Sequence, residues 1–132
     1  MVHNTQIRVY YEDTDMGGVV YYANYLKFLE RGRSDAVREA GISQLEMRDA
    51  GLVFVVRRVE ADYLRPARFE DLLRVQTTLE DMRGARFTMP QSVWRGDEKL
   101  LDARIDCAVM DMSGRAARLP AEIRRKLAVF MG

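Results

Sequence analysis

A chain of 132 residues, 48% of them hydrophobic, is the size of one compact unit around one core, and residues 1–132 are expected to form a single domain. With 21 Lys and Arg against 20 Asp and Glu, the formal net charge is +1; this argues against a nucleic-acid partner, and any anion site has to be local. One cysteine, Cys107, excludes an intrachain disulfide, and with one histidine, His3, the chain has too few nitrogen and sulfur donors for a tetrahedral zinc site.

Residues 1–6 lack the apolar core of a signal peptide, and no stretch approaches the roughly 18 apolar residues of a membrane span. A cytoplasmic protein that is not integral to a membrane is therefore expected. Gln6 to Tyr11 alternates apolar and polar residues and predicts a first strand. Glu12 to Gly18 is an acidic loop ending in two glycines, which free the backbone to turn tightly or approach a ligand. From Asn24 to Ala40, Leu26, Leu29, Ala36, Val37 and Ala40 recur at helical spacing. Asn24 is the expected N-cap, Gly41 the expected left-handed terminus, and Gly32 implies something packed close against the middle of the helix.

Ser43 to Ala50 predicts a short second helix. Leu52 to Leu64 predicts a long strand with Val53, Val55, Val59, Ala61 and Tyr63 on one face, and Pro66 interrupts it. Leu72 to Glu80 alternates again, and Met82-Arg83-Gly84 supplies a turn. Arg86 to Trp94 and Leu101 to Val109 form a hairpin through residues 95–98; Pro90, unable to donate to a ladder, calls for a bulge or an exposed N–H side. Pro120 to Phe130 predicts a terminal helix begun by proline. Strand, long helix, then a run of antiparallel strands is a segregated α+β order. The one long helix covers one sheet face, so oligomer formation is the economical way to cover the other.

The chemistry concentrates between Tyr10 and Gly32. A carboxylate there precedes a helix start, whose unpaired N–H groups can stabilise an oxyanion on an acyl carbonyl while a nearby Asp activates water or attacks directly. Y-E-D-T-D-M-G-G-V-V-Y followed by A-N-Y-L-K-F-L-E-R-G-R closely resembles the Tol-Pal-associated acyl-CoA thioesterases, within the 4-hydroxybenzoyl-CoA thioesterase family of hotdog proteins. The likeness continues through D-Y-L-R-P-A-R-F-E-D at 62–71, M-R-G-A at 82–85 and R-L-P at 118–120.

That resemblance implies a single-domain hotdog fold, an antiparallel sheet wrapped around one long helix. It implies a homodimer or homotetramer with active sites at subunit boundaries, an acyl-CoA substrate and no metal or redox cofactor, coenzyme A being part of the substrate. The family's catalytic aspartate falls on Asp15 and its carbonyl-polarising amide near Tyr22, with Gly17, Gly18 and Val19 shaping the turn. Members of the Tol-Pal-associated branch typically carry histidine where this chain has Tyr22, and His3 does not match that position. Asp15 beside polarising amides is what remains.

Other residues have two readings each. Asp13 either assists Asp15 or serves the loop, and Glu30 either orients loop or water or pairs with a neighbouring arginine. Tyr21, Tyr22 and Tyr25 either line an acyl channel or serve the core or an interface. Arg83, Arg86 and Arg115 either hold coenzyme A phosphates or form a solvated basic edge. The rival functions are a hotdog dehydratase, which calls for a site histidine the chain lacks, and a noncatalytic protein that binds acyl-CoA or acyl carrier protein.

Overall fold

The computed structural model describes residues 1–131. Its first strand, β1, spans His3–Arg8, three residues earlier than the sequence pattern suggests. The shift is explained by the partner: β1 pairs antiparallel with β3 (Leu72–Thr77) from His3↔Thr77 to Arg8↔Leu72, so β3's first residue sets where β1 stops. Val9 then leaves the ladder, although its amide and carbonyl still bond to Asp71 and Glu70.

Helix α1 spans Asn24–Glu39 and buries Tyr25, Phe28, Leu29, Gly32, Ala36 and Val37 against β1, β3 and β5 (Arg86–Arg95). Asn24 is not its cap. Ala23 occupies that position without a side-chain cap bond, and the Asn24 side-chain amide instead donates to the Asp13 carbonyl at 2.9 Å, tying the preceding loop to the helix. At the other end Gly41, at φ +87°, closes the helix as expected: its N–H reaches Arg38 and that of Ile42 reaches Val37, satisfying two otherwise orphaned carbonyls. Ser43 caps the short α2 (Gln44–Asp49) by accepting from the Glu46 amide at 3.2 Å.

Among the described residues six strands form one antiparallel sheet, ordered β1-β3-β5-β6-β2, with β4 pairing β5; β2 is Leu52–Tyr63, β4 is Glu80–Arg83 and β6 is Glu98–Asp111. The expected single strand at 72–80 is broken into β3 and β4, and the turn falls at residues 84–85 rather than 82–84. Pro90 accounts for the break. Its carbonyl accepts from Thr78, and because N and O of an extended residue point the same way, its missing N–H faces the junction between the two strands. The irregularity thus falls on the neighbour, and the chain's end fills the gap. Helix α3 (Ala121–Leu127) and a following 3-10 turn, in place of one continuous helix, bring the Phe130 carbonyl to the Leu79 amide at 3.1 Å.

A second correction concerns β2. Val56 pairs with Cys107 and Arg58 with Asp106, leaving Arg57 as a bulge. One extra residue switches faces, since directly opposed side chains share a face. Phe54 and Val56, not Val53 and Val55, therefore join Val59, Ala61 and Tyr63 on the inner side with Cys107, Ile105 and Leu101. The sheet curls around α1 with that inner face toward the helix, the hotdog arrangement. Among the described residues no helix is long and apolar enough to cross a membrane.

Candidate active site

The loop before α1 is a tight antiparallel return. Thr14 bridges Val20, the Asp15 amide donates to the Val19 carbonyl at 2.9 Å, and the Gly18 amide donates to the Asp15 carbonyl at 3.0 Å. Gly18, at φ +76°, adopts the left-handed conformation that this return needs. Val19 bridges Arg68 and the Val20 amide donates to Ala67, so the return is anchored to the segment after β2. Gly17 lies so close to the Asp15 carboxylate that an added Cβ would be 3.2 Å from Oδ1, and its own N–H donates to that oxygen at 2.9 Å. The Asp15 backbone is therefore fixed, and its side chain is exposed with one oxygen held.

Asp13, by contrast, is buried and spent on the turn. Its carboxylate accepts from the Tyr10 amide at 2.8 Å, and its carbonyl accepts from the Tyr21 amide and the Asn24 side chain, each at 2.9 Å. The structure thus favours the loop role for Asp13. Past it, the backbone N–H groups of Tyr22 and Ala23 find no acceptor among the described residues. These are the orphan donors of a helix start, where the helix dipole adds partial positive charge.

The tyrosines gather around this helix start. Tyr22 is exposed, 4.9 Å from the Tyr21 ring and 6.3 Å from Tyr63. The Tyr63 hydroxyl donates to the Tyr22 carbonyl at 2.9 Å and so fixes the Tyr22–Ala23 peptide just ahead of α1. Tyr25 is buried; its oxygen accepts from the Ala67 amide, and burial pushes its phenol above the ordinary value. Tyr22, Tyr25 and Tyr63 with Val20 and Pro66 wall a cleft of about 260 Å³, in which Asp15 has no part. In the sequence Tyr63 appears in a strand pattern and within the 62–71 motif, neither of which marks it as a site residue.

Glu30 does not join Asp15 either. It accepts from Ser34 at 2.6 Å, one turn along α1, and lines a separate cavity between α1 and the sheet together with Arg33. Arg83 and Arg86 face each other across the β4–β5 hairpin and share a cavity of about 370 Å³ with Arg57, Asp81 and Asp106. Arg57 is the bulged residue, and sequence periodicity carries no sign of a bulge. His3 packs at the far end, beside Glu39, about a full helix length or ~24 Å from the loop. Among the described residues no three His, Cys, Asp or Glu side chains come together as a metal site.

An antiparallel sheet wrapped on one helix, with a carboxylate loop before that helix, defines a hotdog thioesterase architecture. The chain belongs to the thioesterase-like superfamily, whose family profile matches residues 9–127. It is 37% identical over 120 residues to the acyl-CoA thioesterase YbgC of Haemophilus influenzae, covering 89% of this chain and 88% of that one. The acyl-CoA thioester hydrolase YbgC of Escherichia coli is 42% identical over 96 residues, 73% of this chain and 72% of its own. A probable thioesterase of Bartonella henselae, of known crystal structure, is 40% identical and superposes with a TM-score of 0.88 over 91% of this chain and all of that one.

Proposed function

We propose that the chain hydrolyses an acyl-CoA thioester to a free acid and coenzyme A, with Asp15 as the reacting carboxylate. The observations that carry this reading are an exposed, backbone-fixed carboxylate in the loop before α1 and the unpaired N–H groups that follow it in the chain just ahead of that helix, in a thioesterase-like chain. A thioester carbonyl oxygen accepting from the Tyr22 amide makes its carbon electrophilic, and the same donor stabilises the oxyanion of the tetrahedral intermediate. Asp15 then acts in one of two ways. As nucleophile it bonds to the carbonyl carbon, the C–S bond breaks, coenzyme A leaves as thiolate, and water hydrolyses the resulting anhydride. As general base it takes a proton from the attacking water, and the same bond breaks.

Neither route needs a metal or redox cofactor. Tyr22 contributes its amide and, with Tyr21 and Tyr25, walls of a channel, while Gly17, Gly18 and Val19 hold the turn. Arg57, Arg83 and Arg86 offer guanidinium forks to coenzyme A phosphates. The subunit is proposed to work as a homodimer or homotetramer in the cytoplasm, which fits a loop carboxylate that lines no part of its own tyrosine cleft. The motif words of residues 10–32 support the Tol-Pal-associated branch, and acyl carrier protein is a further candidate carrier of the acyl group.

A panel of short, medium, long and aromatic acyl-CoAs, run on wild type and Asp15→Asn, tests the mechanism. Asp15→Asn is expected to lose at least ~100-fold in kcat on every substrate that wild type hydrolyses. Equal turnover by both proteins removes Asp15 from the chemistry. Tight binding without turnover by wild type favours the noncatalytic reading, to which Tyr22 in place of the branch's histidine lends its weight.

A further inference from the structure

Between the acidic loop and α1 the chain makes one tight turn. The Asn24 amide donates to the Tyr21 carbonyl at 2.8 Å, which closes a β-turn with Tyr22 and Ala23 at its centre. Ala23, at φ −71° and ψ −21°, fits the second central position of a type I turn. The central peptide, Tyr22–Ala23, takes no part in the closing bond; type I and type II turns share that bond and differ in which way the peptide points. Its direction has to be set from outside the turn.

Strand β2 sets it. The Tyr22 carbonyl receives no backbone N–H among the described residues, and the donor it does have is the Tyr63 hydroxyl at 2.9 Å. Tyr63 ends β2 opposite Leu101, and the next two amides, of Leu64 and Arg65, both donate to the Leu100 carbonyl, so the backbone carrying the ring is anchored to β6 before and after it. The ring meets the buried Tyr25 in a T-shaped contact at 5.5 Å. Partial burial, with Tyr22 beside it, pushes the Tyr63 phenol above its ordinary value, so at neutral pH it keeps the proton it donates.

The other end of the held peptide is the Ala23 N–H, which finds no acceptor among the described residues. In a planar trans peptide the C=O and N–H point in opposite directions, so an anchor on the carbonyl aims the N–H away from Tyr63. A peptide bonded at its carbonyl is also a stronger donor, because hydrogen bonds in a chain polarise one another.

We infer that Tyr63 is a positioning residue for thioester hydrolysis: its hydroxyl sets and polarises the Tyr22–Ala23 peptide, which makes the Ala23 N–H a second donor, beside the Tyr22 amide, to the oxygen of the reacting carbonyl. The inference deepens the thioesterase reading and rests on it for the reaction. Tyr63 itself touches no reacting atom and gives up no proton. Its bond to Tyr22 persists while the Ala23 N–H bond strengthens as charge gathers on the acyl oxygen, so its effect falls on the transition state rather than on substrate binding.

Tyr63→Phe removes the hydroxyl and keeps the ring at a half-exposed position, so the variant folds. It is compared with wild type and Asp15→Asn on the best substrate of the acyl-CoA panel, with melting temperatures and amide nitrogen resonances of the unliganded proteins. The expected result is a kcat lower by roughly tenfold, the worth of one hydrogen bond, with KM and melting temperature held. The Ala23 nitrogen resonance should move, because the carbonyl of its peptide has lost its donor, while that of Leu29, further along α1, stays. An unchanged kcat, or a KM that rises while kcat holds, makes Tyr63 no more than a wall of the cleft and overturns the inference. So does an Ala23 resonance that does not move. A wild type stopped by Asp15→Asn but untouched by Tyr63→Phe removes this role alone, whereas a wild type that hydrolyses no member of the panel removes the thioesterase reading and this role with it.

Discussion

Cys107 lies on the inner face of β6 opposite Val56 and Phe87, and burial pushes its thiol up to about 11. An unfolded thiol ionises near ~8.5, so the folded chain holds this proton more tightly than the unfolded one. A raised acid of this kind leaves stability intact below the unfolded value and takes it away as pH climbs through about 11. The shift corresponds to about 3 kcal/mol over that interval. Tyr25 and Tyr63 are also raised by burial and act in the same direction, so the thiol has to be isolated by difference. Urea unfolding of wild type and Cys107→Ala from about pH 8 to about pH 11 should show the variant losing less stability, by about 2 kcal/mol. Parallel losses would mean that the thiol ionises without penalty. Residues of this scale were unevenly legible in the sequence. Asp15 stood out through the words around it, and Cys107 through its alternation. Tyr63 was marked by neither strand pattern nor motif, and Arg57 had no signal, because a bulge arises from pairing between strands.

At the scale of elements, α1 meets the sheet most closely at Gly32. A Cβ added there would be 2.7 Å from Val75 Cγ1 and 3.2 Å from both Gln91 Nε2 and Thr77 Oγ1. Val75 and Thr77 are β-branched and fully buried, and Gln91 is held by three hydrogen bonds, so none of the three yields easily. Gly32→Ala gains up to ~1 kcal/mol of helix propensity but forces overpacking that costs about 1–3 kcal/mol. A net loss of about 1–2 kcal/mol in urea unfolding is expected, and a stabilised variant would show that α1 can lift from the sheet. The glycine's meaning was legible because helix propensity makes it an anomaly. So was the helix end, where Gly41 closes α1. The strand break at Thr78 was not, since Pro90 announced an irregularity without saying which strand would carry it. The Asn24 cap failed for a related reason: the side chain found a better use as a donor to Asp13 than as an acceptor for its own helix.

At the scale of the whole molecule, the sheet leaves one long edge open among the described residues. Strand β2 has 12 residues and ends the sheet order, pairing β6 on one side only. Its other side presents unpaired backbone donors and acceptors over about 40 Å. The inward side chains Val56, Val59 and Tyr63 remain 46%, 41% and 47% exposed; α1 packs mainly over β1, β3 and β5 and meets this edge through Tyr25 against Tyr63. A long edge with half-covered apolar residues is a template for another strand, and a second copy of β2 laid antiparallel satisfies both sets of groups with two-fold symmetry. The same pairing brings a second inner sheet face alongside the first, where the inner face of β2 is otherwise open on one side. Val59→Asp puts a charge at the middle of that contact while leaving the pairing of β2 with β6 intact. Sedimentation equilibrium should find wild type as a dimer or dimer of dimers and Val59→Asp shifted to monomer, with far-ultraviolet circular dichroism unchanged. Thioesterase turnover should fall with the assembled fraction and return at high protein concentration. A wild type that sediments as a monomer while turning over at full rate would place the complete site within one subunit and remove β2 from its construction.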